Sequence, residues 1–148
     1  MEITTTRLLQ FSQQFKRFYT RQFGPLVQKS RLSVRELEVL LFLANNPDFD
    51  TARDIAEFRA LSKSQVSQAV ELLSAEGLLH RTPDAADRRI VHLSITPEGE
   101  PITKEAQEIQ ALCGKQLFAG LTPEQTQQLH TILKVMLHNG EQLEEDSV

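Results

Sequence analysis

The stretch Thr51–Gly77, TARDIAEFRALSKSQVSQAVELLSAEG, decides the fold of this 148-residue chain. It carries two helix-start signals eleven residues apart. Thr51-Ala52-Arg53-Asp54 sets a hydroxyl at an N-cap with a carboxylate three residues on, and Ser62-Lys63-Ser64-Gln65 repeats the device with an amide. The first helix, Ala52 to about Arg59, is therefore short, and a tight turn must follow it. On the second, Ser62 to Glu76, the residues Val66, Ala69, Val70 and Leu73 fall at i, i+3, i+4 and i+7, which fixes the buried face. At roughly 100° per residue, Ser64 and Gln68 then point away from the core, flanked by Lys63, Gln65 and Ser67. No acid occurs on this helix before Glu71. Amides pair with adenine edges, hydroxyls serve bases or phosphates, and a helix N-terminus favours phosphate. Two helices at this spacing form a helix-turn-helix, and the acid-free leading half of the second suits the DNA major groove. The candidate contacts are Ser62, Lys63, Ser64, Gln65, Ser67 and Gln68.

Gly77 ends that helix. Leu78 to Thr82 and Ile90 to Thr96 read as strands, with Val91, Leu93 and Ile95 alternating in the second. The loop between them, Pro83 to Arg89, is polar and carries Arg88 and Arg89 at its end, so the outline is a winged helix. A hairpin centred near Ala86 brings His80 opposite His92; with no further ligand nearby, cross-strand packing is expected rather than a metal site.

Upstream, residues 3–23 place Leu8, Phe11, Phe15, Phe18, Tyr19 and Phe23 on one helical stripe that stops at Gly24-Pro25. That stripe is either plain core or a surface shared with a second subunit or a ligand. Ser33 and Glu36 form another capping box, opening a helix through Leu37, Leu40, Leu41 and Ala44 that ends at Asn45-Asn46-Pro47. Downstream, Thr96-Pro97 is expected to cap and open a helix with Ile102, Ala106, Ile109, Cys113 and Leu117 along one seam. Gly120 breaks it. Thr122-Pro123-Glu124-Gln125 starts a last helix carrying Leu129, Ile132, Leu133, Met136 and Leu137, and Glu141 to Val148 is expected to fray. His130 and His138 read as surface or subunit-face residues.

Length and composition fit one domain, residues 1–148, with its own core. No apolar run could span a bilayer and no signal peptide is evident, so a cytoplasmic location without membrane attachment is expected. The single cysteine, Cys113, reads as a small buried hydrophobe. A net charge of -4 conceals a gradient. Residues 1–50 carry 7 basic and 5 acidic groups, residues 51–97 carry 6 and 6, and residues 98–148 carry 3 and 9. An acidic protein can thus still offer a local basic surface to a polyanion. No phosphate-cradling glycine loop, nucleophile elbow or metalloprotease helix occurs, so neither an enzyme nor a cofactor is expected.

The segment Leu61 to Gly99 resembles the MarR family of bacterial transcription regulators, on the strength of Asp87-Arg88-Arg89 followed by Leu93-Ser94-Ile95-Thr96-Pro97-Glu98-Gly99. The likeness extends more loosely over nearly the whole chain. It implies a mainly α fold with a small β-hairpin wing: a winged helix-turn-helix at about residues 33–96, flanked by dimerisation helices at about 3–23 and 97–140. It implies that Arg89 reaches a minor groove, with Arg88 beside it and Asp87 orienting the guanidinium or bracing the wing. It further implies a homodimeric repressor that reads a palindromic operator on double-stranded DNA. Release would follow entry of a small aromatic or phenolic effector between the dimer helices and the winged helix, where Phe15 and Tyr19 are the candidate contacts. The alternatives are a ligand-independent regulator or a winged helix used for protein interaction. Three departures from the family pattern stand out. Ala85-Ala86 replaces a frequent wing arginine, Ala60 replaces a frequent turn glycine, and no cysteine lies near the N-terminus.

Overall fold

The computed structural model describes residues 2–145. The elements run α1 (Thr5–Gln22), α2 (Gly24–Ser30), α3 (Val34–Asn45), α4 (Ala52–Arg59), α5 (Lys63–Ala75), β1 (Leu79–Pro83), β2 (Val91–Ile95), α6 (Glu100–Leu117) and α7 (Pro123–Glu145). They form two compact units, one ending at Ala111 and the other beginning at Leu112, inside α6. A mainly helical chain with a two-stranded antiparallel hairpin is the architecture expected from the sequence.

In the first unit α3 is the central element. Leu37, Val39, Leu40, Leu41, Phe42 and Leu43 are all buried, the pattern of a helix covered on most sides. Its start is the anticipated Ser33–Glu36 capping box, and its end comes where Asn46 N–H closes on the Phe42 carbonyl just before Pro47. Onto α3 packs the α5 stripe Val66, Ala69, Val70 and Leu73, and α4, with Ile55 buried, packs in turn on α5. Each large side chain so buried contributes about 2 kcal/mol.

α1 behaves otherwise. None of its residues is buried; Phe11, Phe15, Tyr19 and Phe23 stack in succession with centroid separations of 6.3, 6.2 and 4.9 Å. Only the lower end reaches the core, through Tyr19 and the fully buried Phe23, while Leu8, Leu9 and Phe11 remain exposed. Gly24-Pro25 does stop α1, but it also opens α2, which the sequence reading left out. The fixed φ of Pro25 suits a first helical turn, and Leu26 anchors the new helix in the core.

The wing follows from how α5 ends. Gly77 adopts φ +73°, its N–H bonding the Ser74 carbonyl, while Leu78 N–H bonds the Leu73 carbonyl at 2.8 Å. This paired closure reverses the chain with Leu73 and Leu78 both buried. The hairpin pairs Leu79 with Ile95 and Pro83 with Val91. His80 therefore faces Ser94 and His92 faces Thr82, correcting the expected His80–His92 pairing. The loop is centred on Asp87 rather than Ala86, because Ile90 N–H bonds the Asp87 carbonyl and Asp84 N–H the Ile90 carbonyl.

A second correction concerns α6. The Thr96 hydroxyl does accept from Gly99 N–H, as a cap should, but the regular helix begins only at Glu100. Glu100 N–H reaches the Thr96 carbonyl, but Pro101 has no N–H to return to the Pro97 carbonyl, so the ladder is interrupted after this first bond. Gly99 sits where a Cβ would lie 2.5 Å from the Leu78 carbonyl oxygen.

In the second unit Thr122 and Gln125 reciprocally cap α7, and Gly120 makes the preceding turn at φ +88°. α7 continues to Glu145, so residues 141–145 do not fray as expected; Gly140 weakens a helix without removing a backbone donor. Residues 146–148 lie outside the described part. Ile132, Val135, Met136 and Leu137 are exposed on α7, and Leu112 and Leu117 on α6. Cys113 is buried, which pushes its thiol up and away from thiolate chemistry.

Ala60 ends α4 at φ +50°, a left-handed conformation that costs a residue with a Cβ about 1–2 kcal/mol. Ala60→Gly is expected to raise the stability by about 1 kcal/mol and the melting temperature by about 2–4 °C. Calorimetry showing a lower melting temperature would mean that the turn stores no strain.

Candidate nucleic-acid interface

The N-terminal face of α5 carries the residues the sequence selects. Ser62, Lys63, Ser64, Ser67 and Gln68 are exposed, while Gln65 is half-buried. Ser62 and Gln65 are committed to the cap: the Ser62 hydroxyl accepts from Gln65 N–H at 3.1 Å, and the Gln65 side-chain oxygen accepts from Ser62 N–H at 3.0 Å. The Gln65 NH2 and the Ser62 O–H remain to donate to a partner. Ser64, Ser67 and Gln68 keep their full polar capacity on the outward side.

Arg53 is a residue the sequence reading passed over. It lies across an open groove of about 500 Å³ from Lys63, with Ala52 and Ala56 between them. Glu57 accepts from its Nε at 3.0 Å, and both side chains are well exposed. The hydrogen bond and charge of Glu57 hold the Arg53 guanidinium above its ordinary pKa. The signal in the sequence is its place next to the Ala52 start of α4, inside the Thr51 capping pattern.

The wing loop is built on two carboxylates. Asp84 Oδ2 accepts from the N–H groups of Ala86 and Asp87, both at 2.9 Å. Asp87 accepts from Arg89 three times: from the backbone N–H at 3.0 Å, from Nε at 3.1 Å and from Nη2 at 3.1 Å. Arg89 donates to this fork while its side chain stays 91% exposed. These donations hold the Asp87 carboxyl below its usual range. Arg88 is exposed on the same loop.

His92 was not singled out as a site residue, yet its ring joins two elements. Nδ1 lies 2.8 Å from Asp50 Oδ1 and Nε2 lies 2.8 Å from Asp84 Oδ1. Hydrogen bonding with Asp50, then with Asp84, raises the His92 pKa; the bond to His92, then those from Asp87 and Ala86 N–H, lower Asp84 to about 2. No sequence spacing flags a contact between residues 42 apart.

The two aromatic effector candidates separate. Tyr19 lines a cavity of about 150 Å³ with Glu38, Leu41, Phe42, Asn45, Asn46, Arg59 and Gln110. Its hydroxyl accepts from Gln110 Nε2 at 3.1 Å, Gln110 in turn accepts from Asn45, and Arg59 pairs with Glu38 at 2.7 Å. Phe15 does not reach this cavity; it stacks between Phe11 and Tyr19 on the α1 surface. Among the described residues no His, Cys, Asp and Glu cluster could hold a metal ion, and no helix is long and apolar enough to cross a membrane.

A family model described as MarR family matches residues 32–90, the span from the start of α3 to the wing tip. This stretch of the chain resembles the MarR family. The chain is 29% identical over 125 residues to the HTH-type transcriptional repressor IacR of Pseudomonas putida, covering 84% of this chain and 74% of that protein. Against the homoprotocatechuate degradative operon repressor of Escherichia coli the identity is 26% over 124 residues, covering 84% and 83%. The fold matches a MarR family transcriptional regulator from Silicibacter pomeroyi with a TM-score of 0.76 at 22% identity, over 87% of this chain and 86% of that one. It also matches Bordetella bronchiseptica BpsR, whose DNA binding is regulated by 6-hydroxynicotinic acid, with a TM-score of 0.66 at 23% identity over 88% and 98%. The chain thus has the winged helix-turn-helix fold of these regulators.

The His92 ring, with the N–H groups of Asp87 and Ala86, sets a pH window for the wing through Asp84. Its folded pKa is depressed, so its contribution is complete above the ordinary value of 3.8 and is lost as pH falls through about 2. Carbon-13 NMR of the Asp84 carboxyl is expected to show that low midpoint, and Asp84→Ala to speed amide exchange at Ala86 and Asp87. A midpoint at the ordinary value would show that the loop closes without this carboxylate.

Proposed function

We propose that this chain is a DNA-binding transcriptional regulator of the MarR type, a homodimeric repressor of a palindromic operator that is released by a small aromatic or phenolic molecule. The carrying observation is the outward face of α5, polar and acid-free up to Glu71, beside a wing whose Arg89 is already oriented by Asp87. Gln68, Ser64 and Ser67 read base edges, Gln65 contributes through its NH2, and Ser62 holds the helix start. Lys63 and Arg53 take phosphates on the rim, and Arg88 and Arg89 enter the adjacent minor groove. The whole chain acts as one functional domain, in the cytoplasm with its DNA.

Dimerisation is supported by apolar surface at both ends of the chain. Leu8, Leu9 and Phe11 on α1, and Ile132, Met136 and Leu137 on α7, are more large apolar side chains than a soluble monomer leaves in water. A two-fold axis would set two α5 helices roughly 34 Å apart, one turn of the duplex. The named relatives IacR and the homoprotocatechuate repressor support repression over activation.

The effector site best supported is the Tyr19 cavity, whose volume of about 150 Å³ suits a single ring. The Tyr19 hydroxyl, the Asn45 amide and the Arg59 guanidinium there match a phenol bearing a carboxylate. That BpsR responds to 6-hydroxynicotinic acid, a monocyclic hydroxy acid, points the same way.

Fluorescence anisotropy on duplex DNA from upstream of the protein's own gene tests the interface. Arg89→Ala is expected to weaken binding about tenfold and to lower the salt slope by about one. Gln68→Ala should cost about 1–3 kcal/mol and relax preference at one base pair. Unchanged affinity in both variants, or a monomeric mass by sedimentation, would overturn the reading. For the effector, calorimetric titration with hydroxybenzoic acids is expected to show binding that Tyr19→Phe weakens about three- to tenfold. Equal affinity in the variant would remove the Tyr19 cavity from the account.

A further inference from the structure

We propose that His92 is a positioning residue for the wing arginine Arg89, its doubly protonated ring stapling the wing loop to the segment that leads into α4. Both ring nitrogens lie 2.8 Å from carboxylate oxygens, Nδ1 from Asp50 and Nε2 from Asp84. Ionised carboxylates only accept, and a neutral imidazole carries a single N–H. Only the imidazolium can donate to both, so the geometry itself selects the charged ring. Removing one proton turns one of the two contacts into a lone pair facing a carboxylate.

The staple lies at a junction. Leu93 N–H bonds the Asp50 carbonyl at 2.8 Å, and Thr51 bridges His92 as a short extension of the hairpin. Thr51 is the N-cap of α4, so the backbone contact joins β2 to the start of the helix-turn-helix. From Asp84 the connection continues into the loop: its second oxygen holds the N–H groups of Ala86 and Asp87, and Asp87 holds Arg89. One hydrogen-bonded path thus runs from the entrance of α4 to the wing arginine.

The surrounding charges leave the ring to these two acids. On α4, Arg53 is paired with Glu57, Asp54 accepts from the Thr51 cap, and Arg59 is paired with Glu38 of α3. On α3, Glu36 is used in the Ser33 cap and Arg35 is exposed. Across the hairpin His92 meets the uncharged Thr82, with Arg81 and His80 exposed on that strand. In the wing loop Asp87 is taken by Arg89, and Arg88 is exposed. The Coulombic influence on the ring comes from Asp50 and Asp84, both raising its pKa. The staple is therefore fully formed below the ordinary histidine value of 6.5 and is lost as pH rises through the raised one.

The link to DNA rests on the proposed interface, so the test has one arm without DNA. Nitrogen-15 NMR of the wild-type ring is expected to show both nitrogens protonated at about pH 6.5, with a midpoint above the ordinary histidine value. Asp50→Asn should lower that midpoint, and wing-loop amide exchange should accelerate above it. In the second arm, anisotropy on the upstream duplex is expected to show affinity falling about two- to fivefold between about pH 6 and pH 8.5. His92→Gln should bind more weakly and lack that slope. A ring titrating at or below the ordinary value, or wing exchange that ignores the ring's titration, overturns the staple. A His92→Gln slope equal to wild type overturns its role in positioning Arg89. Failure of wild type to bind the duplex at any pH would instead count against the DNA reading, with the NMR arm still deciding the staple.

Discussion

The rotation of α5 about its own axis is held by the burial of Val66, Ala69, Val70 and Leu73, which are 0–5% exposed. A turn of one residue step would lift Leu73 toward water, a loss of about 2 kcal/mol. It would also carry a polar neighbour such as Gln68 inward without a partner, at about 1–3 kcal/mol. Two such terms are a large share of the 5–15 kcal/mol or so by which a domain is stable. The outward direction of Ser64, Ser67 and Gln68 is thus a by-product of packing. No contact with DNA is needed to explain why this face is presented.

The same helix also sets the wing. Leu78, the residue after Gly77, bonds back to Leu73 through its N–H, while its carbonyl accepts from Thr96 N–H. The Thr96 hydroxyl donates to the Gly77 carbonyl at 2.6 Å. Gly99 then passes so close to the Leu78 carbonyl that only a hydrogen fits in place of a side chain. The end of α5, both strands and the approach to α6 therefore meet around one peptide group. The glycine at position 99 answers to that crowding rather than to a positive φ.

Helix starts were legible because capping boxes are local: Ser33, Thr51, Ser62 and Thr122 all cap as their spacing predicts. The buried stripe of α5 was legible for the same reason, since periodicity needs only neighbours. What escaped were features set by non-local partners or by competing local ones. α2 was missed because Gly-Pro signals a stop as strongly as it permits a start. The start of α6 moved because Pro101 cancels what Thr96 and Pro97 announce. The hairpin register shifted because Asp84 and Asp87 close the loop on their own hydrogen bonds. Asp50 and His92 meet only once the helix-turn-helix and the wing have folded against each other. The stripe on α1 read as equally fit for core or interface, and the structure divides it: Tyr19 and Phe23 go inward and Leu8 and Phe11 stay out.

Carboxylates in a wing that approaches a polyanion look like a liability, and their arrangement shows how it is managed. Asp84 faces two backbone N–H groups and the His92 ring, and Asp87 faces the Arg89 fork. Neither presents an unsatisfied negative charge outward. At such exposed sites ion pairs add little to stability, so their worth lies in restricting where the cation can go. An arginine that reaches DNA from a fixed rotamer surrenders less side-chain freedom on binding than one that must first be ordered. A wing with Ala85 and Ala86 where a further arginine could stand has fewer charges to spend on attraction. Orientation of Arg89 then matters more than the number of cations, and Asp87, itself held in the loop that Asp84 and His92 close, supplies it.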